Sequence, residues 1–120
     1  MKKILIVDDE PNIVMTLEYT FKKSNYEVFI ARDGQEALDI LKTNFPDVII
    51  LDIMMPMVDG FATLEQIRKD ANLQHTKVMF LSAKNKESDI EKGLALGADA
   101  YMTKPFSIKK VVEKVEELLN

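Results

Sequence analysis

Three carboxylates occupy places where a charge is expensive. Asp8 and Asp9 directly follow the aliphatic run Ile4 to Val7, and Asp52 interrupts a second apolar run between Leu51 and Ile53. Carboxylates in such surroundings need compensation. Two of them about 4 Å apart repel by about 4 kcal/mol at an effective dielectric near 20, so three together invite a bound cation. Lys104 supplies one positive charge and Ser82 a hydroxyl. Oxygen donors in small number select a hard ion. Mg²⁺ suits them, with Mn²⁺ the alternative, because it takes one or two carboxylates and keeps water and phosphate oxygens as its remaining ligands. A carboxylate nucleophile, a divalent ion, an ammonium and a hydroxyl make a phosphoryl-transfer site, because that chemistry rests on positioning and charge neutralisation. Its product is an aspartyl phosphate.

These residues must be brought together by the elements between them. Short apolar runs at Lys3 to Val7, Tyr26 to Ala31, Val48 to Leu51, Lys77 to Leu81 and Ala98 to Met102 read as five strands. Helical spacing separates them: Ile13, Leu17 and Phe21; Ala37, Leu38 and Leu41; Phe61, Leu64 and Ile67; Ile90 and Leu94; then Ile108, Val112, Val115 and Leu119. Pro11 suits a first helical turn, Asp33 with Glu36 resembles a capping box, and Gly97 stands where a helix could end. Asp59-Gly60 offers a turn whose glycine permits positive φ at the entry to the third helix. The order is therefore βα repeated five times, which implies a parallel sheet covered on both faces. In such a sheet, active groups gather beyond the carboxyl ends of the strands. Asp8-Asp9, Asp52, Ser82 and Lys104 all follow strand ends.

Composition narrows the class. At 120 residues, 47% hydrophobic and 30% charged, the chain is expected to form one domain, residues 1–120, with an ordinary core. No apolar stretch approaches the roughly 20 residues of a membrane span, and Asp8-Asp9-Glu10 cuts short what could otherwise look like an export signal. Zero cysteines exclude disulfides and thiolate chemistry and agree with a cytoplasmic location. A net charge of −4 argues against direct nucleic-acid binding.

Taken singly, each residue has a plainer role. Asp8-Asp9 could cap a helix, Asp52 could begin a turn, Ser82 could be a loop hydroxyl and Lys104 a solvated surface lysine. Their joint placement at successive strand ends makes that account improbable. The ordered motifs Ile4-Leu5-Ile6-Val7-Asp8-Asp9, Asp47 to Asp52, Met55-Pro56-Met57-Val58-Asp59-Gly60, Leu81-Ser82-Ala83, Gly97 to Tyr101 and Lys104-Pro105-Phe106 together resemble the receiver domain of two-component response regulators. The likeness covers essentially the whole chain and implies a flavodoxin-like doubly wound sheet of order 2-1-3-4-5.

By that resemblance, Asp52 is the phosphoacceptor for a phosphohistidine on a sensor histidine kinase or a phosphotransfer protein. Asp8, Asp9, Asp52 and the backbone carbonyl of Met54 would hold Mg²⁺. Lys104, the Ser82 hydroxyl and the backbone amide of Ala83 would bind the phosphoryl oxygens. Tyr101 would be the switch aromatic that turns inward when Ser82 shifts, carrying the change to an output surface of helix four, strand five and helix five. A cis Lys104-Pro105 bond is also implied, turning the ammonium toward Asp52. The domain would be a signalling switch with autodephosphorylation and not a turnover enzyme, with no direct nucleic-acid or membrane contact and an output domain or protein that the sequence leaves open. His75 reads as a surface loop residue. Met54, Met55 and Met57 read as packing.

Three alternatives compete. A scaffold that retains the fold without phosphorylation would not need the aspartates, Ser82 and Lys104, all of which are intact. A hydrolase using an aspartyl phosphate would carry a second carboxylate where Asp52-Ile53-Met54 has methionine. A nucleotide-binding protein would show a glycine-rich phosphate loop. Two features depart from relatives of the winged-helix transcription-factor class: Ala100 stands before the switch tyrosine where they carry an acidic residue, and Lys109 to Glu117 lacks their arginine. That weakens the expectation of their charged dimer face. Met54 and Lys84, two positions beyond Asp52 and Ser82, are neither acidic nor amides. A methionine cannot orient water for attack on an acyl phosphate. Replacing Met54→Asn is therefore expected to shorten the lifetime of the phosphorylated form, measured by loss of the phosphoryl mass with time. An unchanged or longer lifetime contradicts it.

Overall fold

The computed structural model describes residues 1–120 throughout. Five strands alternate with five helices: β1 (Lys3–Val7), α1 (Pro11–Lys23), β2 (Glu27–Ala31), α2 (Gly34–Ile40), β3 (Val48–Leu51), α3 (Gly60–Lys69), β4 (Lys77–Ser82), α4 (Glu87–Ala95), β5 (Ala100–Thr103) and α5 (Ile108–Leu119), with a short 3₁₀ turn at Ala71–Leu73. All strand pairs are parallel, in the order β2-β1-β3-β4-β5. This is the doubly wound, flavodoxin-like arrangement.

The pleat sorts the apolar runs onto two faces. Leu5, Val7, Ile49, Leu51, Val78 and Phe80 pack with Ala37, Leu41, Phe61, Leu64 and Ile67 from the α2 and α3 side. Ile4, Ile6, Val48, Ile50, Met79 and Leu81 pack with Leu17 and Phe21 of α1 and Val111 and Val115 of α5. Strands buried on both faces need no polar alternation, which is why β1, β3 and β4 are near-continuous hydrophobic runs. Because α1 and α3 cover opposite faces, a crevice opens between the ends of β1 and β3.

Local chemistry sets the helix ends. Pro11 opens α1 and Asp33 caps α2 by accepting from the Glu36 amide at 2.8 Å. The Glu36 carboxylate reaches back to the Arg32 amide at 3.1 Å, one residue earlier than the usual box partner. Gly97 takes φ +110° just beyond α4, as a helix exit requires. β5 starts at Ala100 and not Ala98, because Gly97 to Asp99 make that exit; Asp99 Oδ2 accepts from the Val78 amide at 2.8 Å and from Arg68 at 3.0 Å. β2 begins one residue later than its apolar run. Leu94 was expected on the inner stripe of α4 but is half-exposed, and Gly93 is the only fully buried residue of that helix. His75 is exposed.

Gly60 requires a different explanation from the one its Asp-Gly context suggests. Positive φ is found at Asn25, Met57 and Gly97, and not at Gly60. Asp59 is the N-cap of α3, accepting from the Ala62 amide at 2.9 Å, and Gly60 is the first helical residue. What demands glycine is close approach: a Cβ there would lie 2.3 Å from the Asp52 carbonyl oxygen and 2.6 Å from the Ile53 Cα, both backbone atoms. Gly60→Ala is expected to destabilise the fold by about 2 kcal/mol or more, since backbone must move. The midpoint and slope of urea unfolding measure it, and an unchanged midpoint would contradict the packing argument.

Candidate functional site

The hydrogen-bond ladder runs one residue past the strands and places the polar groups side by side. Val7 pairs with Leu51 in the β1–β3 register. The Asp52 amide then donates to the Val7 carbonyl at 2.9 Å, the Asp8 amide to Ala31 at 3.1 Å, and the Lys104 amide to Ser82 at 2.9 Å. Asp8 and Asp52 therefore stand on neighbouring strand ends, both about 3% exposed. Ser82 is fully buried as the last residue of β4. Lys104 follows β5, and its peptide bond to Pro105 is cis.

One cation lies among three anions. Lys104 Nζ is 2.9 Å from Asp8 Oδ2, 2.9 Å from Glu10 Oε1 and 3.4 Å from Asp52 Oδ2. Burial would pull the Lys104 ammonium down, but Glu10 and Asp8 through hydrogen bonds, and Asp52 and Asp8 through charge, hold it well above the ordinary lysine value. It is an ammonium at any physiological pH and no proton acceptor. Burial pushes the Asp8 carboxyl up, against the lowering by the Glu10 amide and Lys104, and the Asp52 charge adds to the rise. The two oxygens of Asp52 differ. Oδ1 accepts from the amides of Ile53 at 2.8 Å and Met54 at 3.4 Å, while Oδ2 faces Lys104. One oxygen anchors the group and the other is presented to the crevice.

The carboxylate oxygens of Asp8, Glu10 and Asp52 lie within 4.8 Å of one another. Three carboxylates against one ammonium leave a net −2, and an all-oxygen donor set of that charge fits a hard divalent ion. Asp9 is not in this group. It is exposed and lines an open groove of about 660 Å³ with Met54, Asp59, Lys84 and Lys92. The sequence reading missed Glu10, whose only signal was its place two residues after Asp8. Ala83 is exposed at the start of the β4–α4 loop. Met54 and Met57 are exposed as well, so of the three loop methionines read as packing only Met55 lies against the core.

Ser82 and Tyr101 meet at a single residue. The Lys84 amide donates to Ser82 Oγ at 3.3 Å, and the Tyr101 hydroxyl donates to the Lys84 carbonyl at 2.7 Å. The half-buried Tyr101 ring packs 5.7 Å from that of Phe80.

A family model, the response regulator receiver domain, matches residues 4–116. The chain belongs to that family. It is 46% identical over 118 residues to the alkaline phosphatase synthesis transcriptional regulatory protein PhoP of Bacillus subtilis, covering 98% of this chain and 48% of PhoP. The chain thus spans about half the length of that regulator. Among solved structures, the chemotaxis response regulator CheY4 of Vibrio cholerae is 31% identical with a TM-score of 0.93, covering 99% of both chains. The BeF₃-activated DrrB receiver domain is 28% identical with a TM-score of 0.90, over 99% of this chain and 97% of that one. This receiver is thus a domain of a two-component system, a class of signalling switches. None of its helices is long and apolar enough to cross a membrane.

The raised Asp8 carboxyl sets a sign. The native state binds the proton more tightly than the unfolded chain, so this group's contribution falls as pH rises from 3.8 through its higher native value. Without divalent ions, Asp8→Asn should therefore stabilise the receiver at pH 7, on the order of 1 kcal/mol, and flatten that part of the stability profile. Urea unfolding across pH 3 to 7 tests this; a lower midpoint for the variant at neutral pH would reverse the argument.

Proposed function

We propose that this receiver accepts a phosphoryl group on Asp52 from the phosphohistidine of a sensor histidine kinase or a phosphotransfer protein, and that the modification switches a protein-interaction surface. The observation that supports it most directly is the geometry of Asp52: one oxygen held by backbone amides, the other facing a permanent ammonium in a buried crevice. A hydrolase would need a further general acid or base, and Met54 stands where it would be.

In the transfer, the bond from Asp52 Oδ2 to phosphorus forms as the bond from phosphorus to the donor imidazole breaks, and the imidazole nitrogen leaves with the electron pair. Asp8 and Asp52, joined by Asp9 and the Met54 carbonyl from the adjoining open groove, would hold Mg²⁺, or Mn²⁺, which would supply charge neutralisation for the phosphoryl oxygens. Lys104 neutralises another part of that charge and orients the group. Ser82 and the Ala83 amide donate to a phosphoryl oxygen. As the Ser82 hydroxyl moves to that oxygen it ceases to accept from the Lys84 amide, which loosens the loop that Tyr101 ties. Tyr101 then turns inward and alters the face formed by α4, β5 and α5, where an output domain or protein would read it. Water later attacks the phosphorus, the bond from Asp52 Oδ2 to phosphorus breaks and inorganic phosphate leaves, so the domain resets without being a turnover enzyme. A cytoplasmic site of action belongs to the same proposal.

Incubation with Mg²⁺ and acetyl phosphate should add a single phosphoryl mass to the wild type. The addition should vanish in Asp52→Asn and with excess chelator. Intact mass spectrometry reads this directly. Addition that persists in Asp52→Asn would place the acceptor elsewhere, and no addition with either acetyl phosphate or a panel of phosphorylated kinases would favour a scaffold that has kept the fold.

A further inference from the structure

Glu10 sits at the N-cap of α1, where a short Asp or Ser side chain would ordinarily accept a bond from the first turn. Its carboxylate makes no such bond. It reaches across the crevice to Lys104 Nζ at 2.9 Å, as short as the ammonium's contact with Asp8 Oδ2, whereas the bond to Asp52 Oδ2 is long at 3.4 Å. The lysine is therefore held more closely by a rim carboxylate than by the phosphoacceptor.

We propose that Glu10 is a positioning residue that tethers Lys104 in the resting state and competes with the phosphoryl oxygens on Asp52 for that ammonium. This rests on the phosphoacceptor reading above. An ammonium has three donors, and in the resting crevice all of its neighbours are carboxylates. Asp8 cannot be the adjustable partner: it is buried, and its second oxygen is fixed by the Glu10 amide at 2.9 Å. The Glu10 side chain is 56% exposed, so on release its carboxylate passes to water at little cost. Phosphorylation brings several strong acceptors beside Nζ, and the lysine moves to them by leaving Glu10. The tether thus keeps the ammonium in the crevice while opposing the phosphorylated state by a small amount.

Glu10→Asp separates tether from charge. It preserves the negative charge, is one methylene, about 1.5 Å, shorter, and suits the N-cap better, so the variant is expected to fold. The probe is beryllofluoride, with which the DrrB receiver was activated, titrated at saturating Mg²⁺. Loss of an exposed charge-assisted bond corresponds to about a two- to fivefold tightening in Glu10→Asp. In the free protein, the Lys104 Nζ resonance should already lie toward its beryllofluoride-bound position, a change that a purely structural role would not produce. Beryllofluoride affinity equal to or weaker than wild type in Glu10→Asp overturns the tether. Tightening seen only in Glu10→Gln does so as well, because it would show Glu10 acting as a remote charge. Failure of the wild type to bind beryllofluoride would instead overturn the phosphoacceptor reading on which the tether stands.

Discussion

The gathering of three carboxylates around one ammonium is the arrangement to which the rest of the structure is fitted. Asp8 and Asp52 are nearly inaccessible, and placing two like charges in a crevice is unfavourable by several kcal/mol before any partner is counted. Lys104 compensates only part of it. Burial, with a smaller part from the Asp52 charge, raises the Asp8 carboxyl, a cost held by the fold and relieved by whatever positive charge arrives. Stability is therefore lower at the crevice than a neutral edge would allow, which is the ordinary relation between a binding site and its scaffold.

Such a crevice must be rigid to be of use, and backbone supplies the rigidity. Asp52, Asp8 and Lys104 each extend a strand ladder by one amide, so their positions follow from sheet register and not from loop conformation. Beneath Asp52, the N-terminus of α3 presses against the chain so closely that only glycine fits at position 60. Every buried side-chain polar atom has a hydrogen-bond partner. The acidic edge is thus a satisfied network that carries excess charge, and not a set of orphaned groups.

The opposite requirement holds on the β4–α4 side. Lys84 is tied through both of its backbone groups: its amide donates to Ser82 and its carbonyl accepts from Tyr101. α4 buries only Gly93 fully, so little apolar area resists its displacement. Rigidity at Asp52 and light packing at α4 are complementary. A change of charge at the first finds a segment at the second that a few hydrogen bonds can bias.

Much of this was legible in the residues. Aliphatic runs without polar alternation, separated by helical spacing, specify a parallel sheet covered on both faces, because backbone period and burial leave few other ways to satisfy them. Aspartates after strand ends pointed to the crevice for the same reason. Boundaries were less certain where polar groups outside the local window intervened: Asp99 serves Val78 and Arg68, and this delays β5. Leu94 follows the helical spacing yet faces outward, since α4 rests on the sheet through a glycine. Gly60 and Glu10 show what only tertiary structure decides. The first is glycine because of a backbone eight residues away, and the second reaches a lysine 94 residues away. Periodicity reports which face a residue takes, whereas contact across the sheet edge depends on register and crossover, which exist only once the chain is folded.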